Sequence, residues 1–321
     1  MSYNDKNYAK IREEYREKPQ RARAEAEARE AELWAKVPGV SEIDRILRAT
    51  APRILAASSL GKEGLDDRIN AIKKEITELR AFRAELLIAA GYPADYSDIK
   101  YECEACRDTG YVGVNMCDCM KRALSGAGYV SAGIAALIAR QSFDNFSLDY
   151  YSGADRQKME FALAKVKNFA DNFTADTSDS FLFLGGTGLG KTHLSTAAAK
   201  TVIDRGYDVV YETAQNMFAD FETERFHSDK ESARETSRYF ECDLLIIDDL
   251  GTEVSNNFTV SCLYNVINTR QNERKPMMIS TNLDAAELRR RYSDRITSRL
   301  LGEFLLLMFS GEDVRLQKIR K

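Results

Sequence analysis

Within "FLFLGGTGLGKTHL", residues 181–194, four glycines, one lysine and two threonine hydroxyls fall inside a single short turn. Gly185, Gly190, Lys191 and Thr192 satisfy the pattern G-x-x-x-x-G-K-[ST], between an apolar run that reads as a strand and a segment that reads as a helix. Glycines let consecutive backbone N–H groups curl round phosphate oxygens free of Cβ clashes, and the amino end of a helix adds a positive dipole. Lys191 brings a compact charge to β- and γ-phosphates, and the Thr192 hydroxyl is suited to ligate Mg²⁺. The phosphate-holding set is therefore Gly185, Gly186, Thr187, Gly188, Leu189, Gly190, Lys191 and Thr192. A turn that only reverses the chain has no use for Lys-Thr at this spacing.

A second stretch, "LLIIDDLG", completes the metal site. Asp248 falls at the carboxyl end of a predicted strand and Asp249 just beyond, where ligands bind in open α/β sheets. Asp248 is expected to hold Mg²⁺ through its waters, and Asp249 to position or deprotonate an attacking water. Two adjacent anions repel unless a cation sits between them. "MMISTN" ends another buried strand with Asn282, a neutral amide able to orient water or read a γ-phosphate. In "RRRYSDRITSRL", Arg295 and Arg299 lie four apart on one helix face and are the candidates for a guanidinium reaching a neighbour's nucleotide. Arg289, Arg290 and Arg291 read equally well as a solvated basic face.

Cys103, Cys106, Cys117 and Cys119 read C-x2-C-x10-C-x-C. The first pair has zinc-knuckle spacing, with Gly110 and Gly113 letting the chain return; a redox or iron–sulfur site is the alternative. A closed four-sulfur shell has no open position for water, so the site would be structural and would fasten a segment too small to fold on apolar burial alone. Cys242 and Cys262 read as packing residues, and the lone His193 and His227 receive no role. Among the aromatics after the second strand, Phe218 and Phe221 have helical spacing and read as core. Phe226 and Phe258 fall in predicted loops and are candidates for stacking on single-stranded DNA, against local packing.

These groups need a scaffold, and the chain provides an alternation of strands and helices. Predicted strands are 181–184, 208–212, 243–248, 276–281 and 304–309, with helix-length segments between the first four, which implies an α/β domain with a parallel sheet covered on both faces. Upstream, residues 5–36 are dense in Arg, Glu and Ala and predict a helix that Pro19 breaks or restarts. A second helix is expected from Ser41 to about Leu55. A third starts at Leu65, with Ile69, Ile72, Ile76, Leu79, Phe82 and Leu86 on one stripe, and ends at Gly91 and Pro93. The stripe reads as an antiparallel seam in a small helical domain, with an intermolecular coiled coil as the alternative. "QSFDNFSLDYYS" reads as an extended aromatic connector.

With 321 residues there is room for about two domains. Apolar residues make up 44% and aromatics 10%, and the mean hydropathy is −0.41, an ordinary globular composition. A net charge of −4 disfavours nucleic-acid binding by the whole-protein field, so any such contact needs a local patch. The charged amino terminus has no apolar centre and no segment reaches membrane-spanning length, so a cytoplasmic location is expected.

Together the glycine turn, "IIDDLG", "ISTN" and "SDRITSRL" resemble the AAA+ ATPases of the bacterial helicase-loader group, the DnaC/DnaI type, with IstB transposition helpers as close cousins. The resemblance covers roughly residues 95–321, including the cysteine segment and the connector, which look like those of loaders from Gram-positive, clostridia-like bacteria. It implies a five-stranded parallel sheet of order 5-1-4-3-2, with Asn282 as sensor 1 between the strands of the glycine turn and Asp248. It makes Arg299 the arginine finger with Arg295 in support. It also implies ATP, Mg²⁺ and Zn²⁺ as cofactors. The expected domains are a helical partner-binding domain at 1–100, a zinc segment at 101–124, a linker at 125–156 and the AAA+ domain at 157–321. The chain ends soon after "GEDVRLQKIRK", which leaves little or no C-terminal lid, and Arg315 reads as a solvated tail arginine or, less readily, as a sensor 2 residue. Asp249 stands where many AAA+ members carry Glu, so its carboxylate reaches about one methylene less far, and slow or partner-dependent hydrolysis is expected. The implied function is ATP-dependent loading of a hexameric replicative helicase onto single-stranded DNA, with self-association through the AAA+ domain. The alternatives are a transposition helper and a nucleotide-gated adaptor with little hydrolysis.

Overall fold

The computed structural model describes residues 3–59, 64–226 and 230–320. In chain order the elements are α1 (Asp5–Lys36), α2 (Val40–Arg48), α3 (Thr50–Ser59), α4 (Leu65–Ala89), β1 (Tyr111–Val112), β2 (Asn115–Met116), α5 (Asp118–Ser131), α6 (Gly153–Asp171), β3 (Phe181–Leu184) and α7 (Lys191–Asp204). They continue with β4 (Val209–Thr213), α8 (Ala214–Phe226), α9 (Lys230–Glu241), β5 (Leu244–Leu250), α10 (Asn257–Asn272), β6 (Met277–Thr281), α11 (Ala285–Arg291), α12 (Asp294–Gly302), β7 (Leu305–Met308) and α13 (Val314–Arg320). The chain divides into two compact units, Met1–Ile11 with Asp118–Lys321, and Arg12–Cys117.

The larger unit is built on five parallel strands in the order β4-β5-β6-β3-β7. Numbered by appearance this is 5-1-4-3-2 read from the other edge, the order expected. Side chains alternate across a strand, so β3, β4, β5 and β6 each feed two cores, whereas on the edge strand β7 only Leu307 is buried. Phe181, Phe183, Val209, Tyr211, Leu244, Ile246 and Met278 face α6 and α7. Leu182, Leu184, Val210, Leu245, Ile247, Met277 and Ile279 face α8, α10 and α12. That two-sided burial is why these strands are continuous apolar runs. A fully buried arginine, Arg270, seals one end of the second core. Its guanidinium donates to the carbonyls of Tyr239, Cys242 and Pro276 at 2.9–3.0 Å. Cys242 is buried there and Cys262 packs against the same core, as expected, as do Phe218 and Phe221.

Three local expectations are corrected. Helix α1 runs unbroken through Pro19. Buried Ile11, Tyr15, Ala22, Ala26 and Leu33 stay in phase on one helical stripe across it, and the surrounding Ala, Arg and Glu outweigh the roughly 3 kcal/mol that one proline costs. The helix expected from Ser41 to Leu55 is two helices parted at Ala49, because Pro52 has no N–H to continue the ladder and sits instead in the first turn of α3, where donors are orphaned anyway. On α4, Ile76 of the stripe is buried, whereas Phe82 is exposed and Leu87 takes the core position.

In the smaller unit α2 and α3 pack on α4. Leu33, Val37, Val40 and Leu87 form its apolar cluster, with Leu86, Tyr92 and Tyr96 against it. Buried Asp44 accepts from Arg83 at 2.6 Å and from the Trp34 indole at 2.9 Å. Helix α4 ends as expected: Gly91 turns left-handed at φ 85°, and the N–H of Tyr92 returns to the Leu87 carbonyl.

Candidate functional site

The glycine turn links β3 to α7 at the carboxyl end of the sheet. Gly190, at φ 89°, is the residue before α7, and a Cβ there would sit 2.9 Å from the Tyr151 hydroxyl and against Phe146. At Gly188 a Cβ would run into the Asp313 carboxylate. Both positions need glycine because the connector and the segment after β7 close on the turn from two sides. Lys191 is buried, and its ammonium donates to the carbonyls of Gly185 and Gly186 and to Asn282 Oδ1, each at 2.6 Å. Burial lowers its pKa below the usual lysine value, with Asp249 and Asp248 opposing.

Asp248 accepts from three side-chain hydroxyls. Thr192 Oγ1 donates to its Oδ2 at 2.9 Å, the Tyr211 phenol donates to the same oxygen at 2.6 Å, and Ser280 donates to Oδ1. Burial and the adjacent carboxylate push Tyr211 far up, so its phenol remains a donor. The expected strand end at Asp248 is corrected: β5 continues to Leu250 through a bulge, where Ile247 pairs with Ile279 but Leu250 with Thr281. Asp249 is the extra residue's neighbourhood, left-handed at φ 55°, with its N–H donated to Ser280 Oγ at 2.9 Å. Burial, then Asp248, raises the Asp249 pKa, while Lys191 and Arg315 oppose the rise.

Beside these groups is a cavity of about 220 Å³ lined by the glycine turn, Asp249, Asn282, the connector and α13. Asn282 follows β6, which lies between β3 and β5, the position the resemblance gave it. Arg315 is exposed, as expected of a tail arginine, and also lines the cavity. Sequence reasoning gave no role to His193, which also lines the cavity: its Nε2 lies 2.9 Å from the Ser142 carbonyl and 2.8 Å from Asn145 Oδ1, and its ring meets the edge of Phe146. His227 lies outside the described residues. The connector, expected within a linker at 125–156, is part of the unit: Phe143, Phe146 and Leu148 pack on the core and Tyr151 is buried. Tyr211 and Ser280 were missed. The readable signal for Ser280 was its spacing of two from Asn282, which places both on one strand face.

Arg295 and Arg299 do not line this cavity. Arg295 is exposed, and Arg299 lies on the Tyr264 ring at 5.0 Å and donates to Asn268 Oδ1 at 2.8 Å. Phe226 and Phe258 are not in loops as expected: Phe226 ends α8 and Phe258 is in the first turn of α10. The Arg225 guanidinium stands over both rings, at 5.9 and 5.1 Å.

The donor sets fit the implied ions. Thr192 and Asp248 offer hard oxygens side by side, the chemistry magnesium takes. The sulfurs of Cys103, Cys106, Cys117 and Cys119 all lie within 4.8 Å of one another, and Cys103 and Cys117 are 3.8 Å apart. Four thiolates tetrahedral about zinc are spaced about 3.8 Å, given a Zn–S bond of about 2.3 Å. The hairpin of β1 and β2 brings the second pair back, with Asp108 accepting the N–H groups of Glu102 and Cys103.

Residues 129–321 match the family described as IstB-like ATP binding protein. The chain belongs to that family. As a member, it is similar to the replicative helicase loader DnaC of Escherichia coli (strain K12), 23% identical over 185 residues, which is 57% of this chain and 73% of that protein. It is 27% identical over 230 residues to the phage-like element PBSX protein XkdC of Bacillus subtilis (strain 168), covering 66% and 82% respectively. Among solved structures it is similar to the DnaC helicase loader, at 22% identity and TM-score 0.43 over 52% of this chain and 98% of that one. A similar likeness is to DnaI, at 23% and 0.42 over 55% and 91%. The family match makes this an IstB-like ATP-binding chain, in keeping with its similarity to DnaC-type loaders. No described helix is long and apolar enough to cross a membrane.

Proposed function

We propose that this chain loads a ring-shaped replicative helicase onto single-stranded DNA, hydrolysing ATP in the cytoplasm. The observation that carries the reading is the bonded set Lys191–Asn282 and Thr192–Asp248 beside one cavity, in an ATP-binding family member whose similar proteins include a named helicase loader. Lys191 and the backbone N–H groups of residues 185–192 would hold the β- and γ-phosphates, and Thr192 and Asp248 would hold magnesium. Magnesium supplies positive charge that offsets the charge building on the transferred phosphate. Asp249 orients and deprotonates water, and Asn282 fixes that water beside it. Arg299, supported by Arg295, completes the site of a second copy, which makes hydrolysis depend on assembly.

Phe226, Phe258 and the intervening Arg225 form a stacking platform suited to single-stranded DNA. The helical region at 1–100 binds the helicase, and zinc held by Cys103, Cys106, Cys117 and Cys119 stabilises the hairpin that carries them.

The test combines the full-length chain, the host's hexameric replicative helicase, circular single-stranded DNA and MgATP. Co-elution with the helicase and its ATP-dependent transfer to the circle are expected. Filaments on duplex DNA without helicase capture would replace the loader by a transposition helper, and undiminished loading by Asp249→Asn would favour a nucleotide-gated adaptor. Arg299→Ala is expected to bind nucleotide normally and to lose ATP-dependent assembly.

A further inference from the structure

Strand β4 lies at the edge of the sheet and carries none of the residues expected to touch nucleotide, yet it sends one side chain into the metal-holding cluster. Tyr211 and Asp248 are diagonal neighbours on one face of two paired parallel strands: Tyr211 pairs with Ile246 and Thr213 with Asp248. The Tyr211 ring is buried in the core beneath α7, and a phenylalanine would fill that space equally well. What phenylalanine would lack is the hydroxyl, donated to Asp248 Oδ2 at 2.6 Å, with Ser195 Oγ 3.5 Å from the phenol oxygen. Thr192 gives its own hydrogen to the same Oδ2 and so keeps its lone pairs for a cation. Ser280 occupies one lone pair of Oδ1. The carboxylate is thus fixed by three hydroxyls from three different elements, and its remaining acceptor capacity lies on Oδ1.

We propose that Tyr211 is a positioning residue for magnesium, its phenol clamping Asp248 from the neighbouring strand so that Thr192 and the free acceptor of Oδ1 are presented together. The proposal rests on the reading of Thr192 and Asp248 as the magnesium-holding pair. Carboxylates that hold metal are themselves hydrogen-bonded, and removing such an outer partner typically lowers metal affinity about 10–100-fold. Ser280 serves both acids, since it also accepts the Asp249 N–H, whereas of the two acids the Tyr211 phenol bonds only Asp248. The two variants therefore separate the effects.

The test measures binding of a fluorescent ADP analogue to the full chain across a Mg²⁺ titration, for wild type, Tyr211→Phe and Ser280→Ala, with Mn²⁺ binding followed by electron paramagnetic resonance. In Tyr211→Phe the Mg²⁺ midpoint is expected to rise about tenfold, while nucleotide affinity in chelator stays within about twofold of wild type and saturating Mg²⁺ restores binding. The Mn²⁺ signal weakens in parallel. Hydrolysis at saturating Mg²⁺ recovers in Tyr211→Phe but not in Ser280→Ala, which also frees the Asp249 backbone. An unchanged Mg²⁺ midpoint overturns the proposal. So does an equal loss of affinity with and without metal, because that marks a purely structural hydroxyl. A wild type that binds nucleotide equally well with and without metal overturns the magnesium reading itself, and the proposal with it.

Discussion

In the sheet-containing unit, alternate residues of every central strand enter one of two separate cores, and helices cover both faces. In the helical unit the apolar cluster is Leu33, Val37, Val40 and Leu87, with the buried Asp44 bonded to Arg83 and Trp34 in the same unit. The first arrangement holds backbone positions tightly enough for three hydroxyls to converge on one carboxylate. The second leaves long charged helix faces in water, including an exposed Phe82, Ile88 and Leu55, a surface suited to recognition rather than to chemistry.

The contrast can be broken most directly at Lys191. Lys191→Ala removes two or more charge-assisted bonds from a bound triphosphate, so calorimetry should show ATP affinity falling by about 100-fold while helicase capture by the helical unit persists. Loss of both together would erase the division of labour. Next in size, Arg270→Leu leaves several buried carbonyls unpaired and should cost about 3 kcal/mol. Denaturation followed by hydrogen exchange should locate that loss in the sheet and spare α2–α4. Leu87→Ala should do the converse, lowering protection of α2–α4 by about 2–4 kcal/mol with ATP binding unchanged. Cys106→Ser should release a single zinc per chain by elemental analysis and loosen residues 103–119 while leaving nucleotide affinity within about threefold. Smallest of all, Phe82→Ser should alter stability by no more than about 0.5 kcal/mol, because its ring is already half in water.

What could be read from the residues tracks this division. The five strands were legible as apolar runs, their order only through the family resemblance, and the glycine turn, Asp248 and Asn282 because each proposed role restricts residue type. Helix limits around Pro19 and Pro52 were less legible. A proline's effect depends on whether its missing N–H falls in a first turn or on a helix whose stripe is already anchored, and that is decided by packing. Tyr211 looked like any strand aromatic, since its function lies in a diagonal contact across β4 and β5 that spacing along one strand does not reveal. Arg315 and the connector reach the cavity only because the chain folds back on the glycine turn, a long-range event with no local signature.

The bulge between Ile247 and Leu250 has a bearing on how this chain tolerates length changes. Regular pleating would send neighbouring acids to opposite sides of the sheet. Here a surplus residue lets Asp248 and Asp249 both exert their charge on Lys191 while Leu250 rejoins the ladder. Deleting a single amino acid there would tidy the strand and turn one acid into the hydrophobic interior, so the irregularity must be inherited intact for the site to keep both of its carboxylates on the same side.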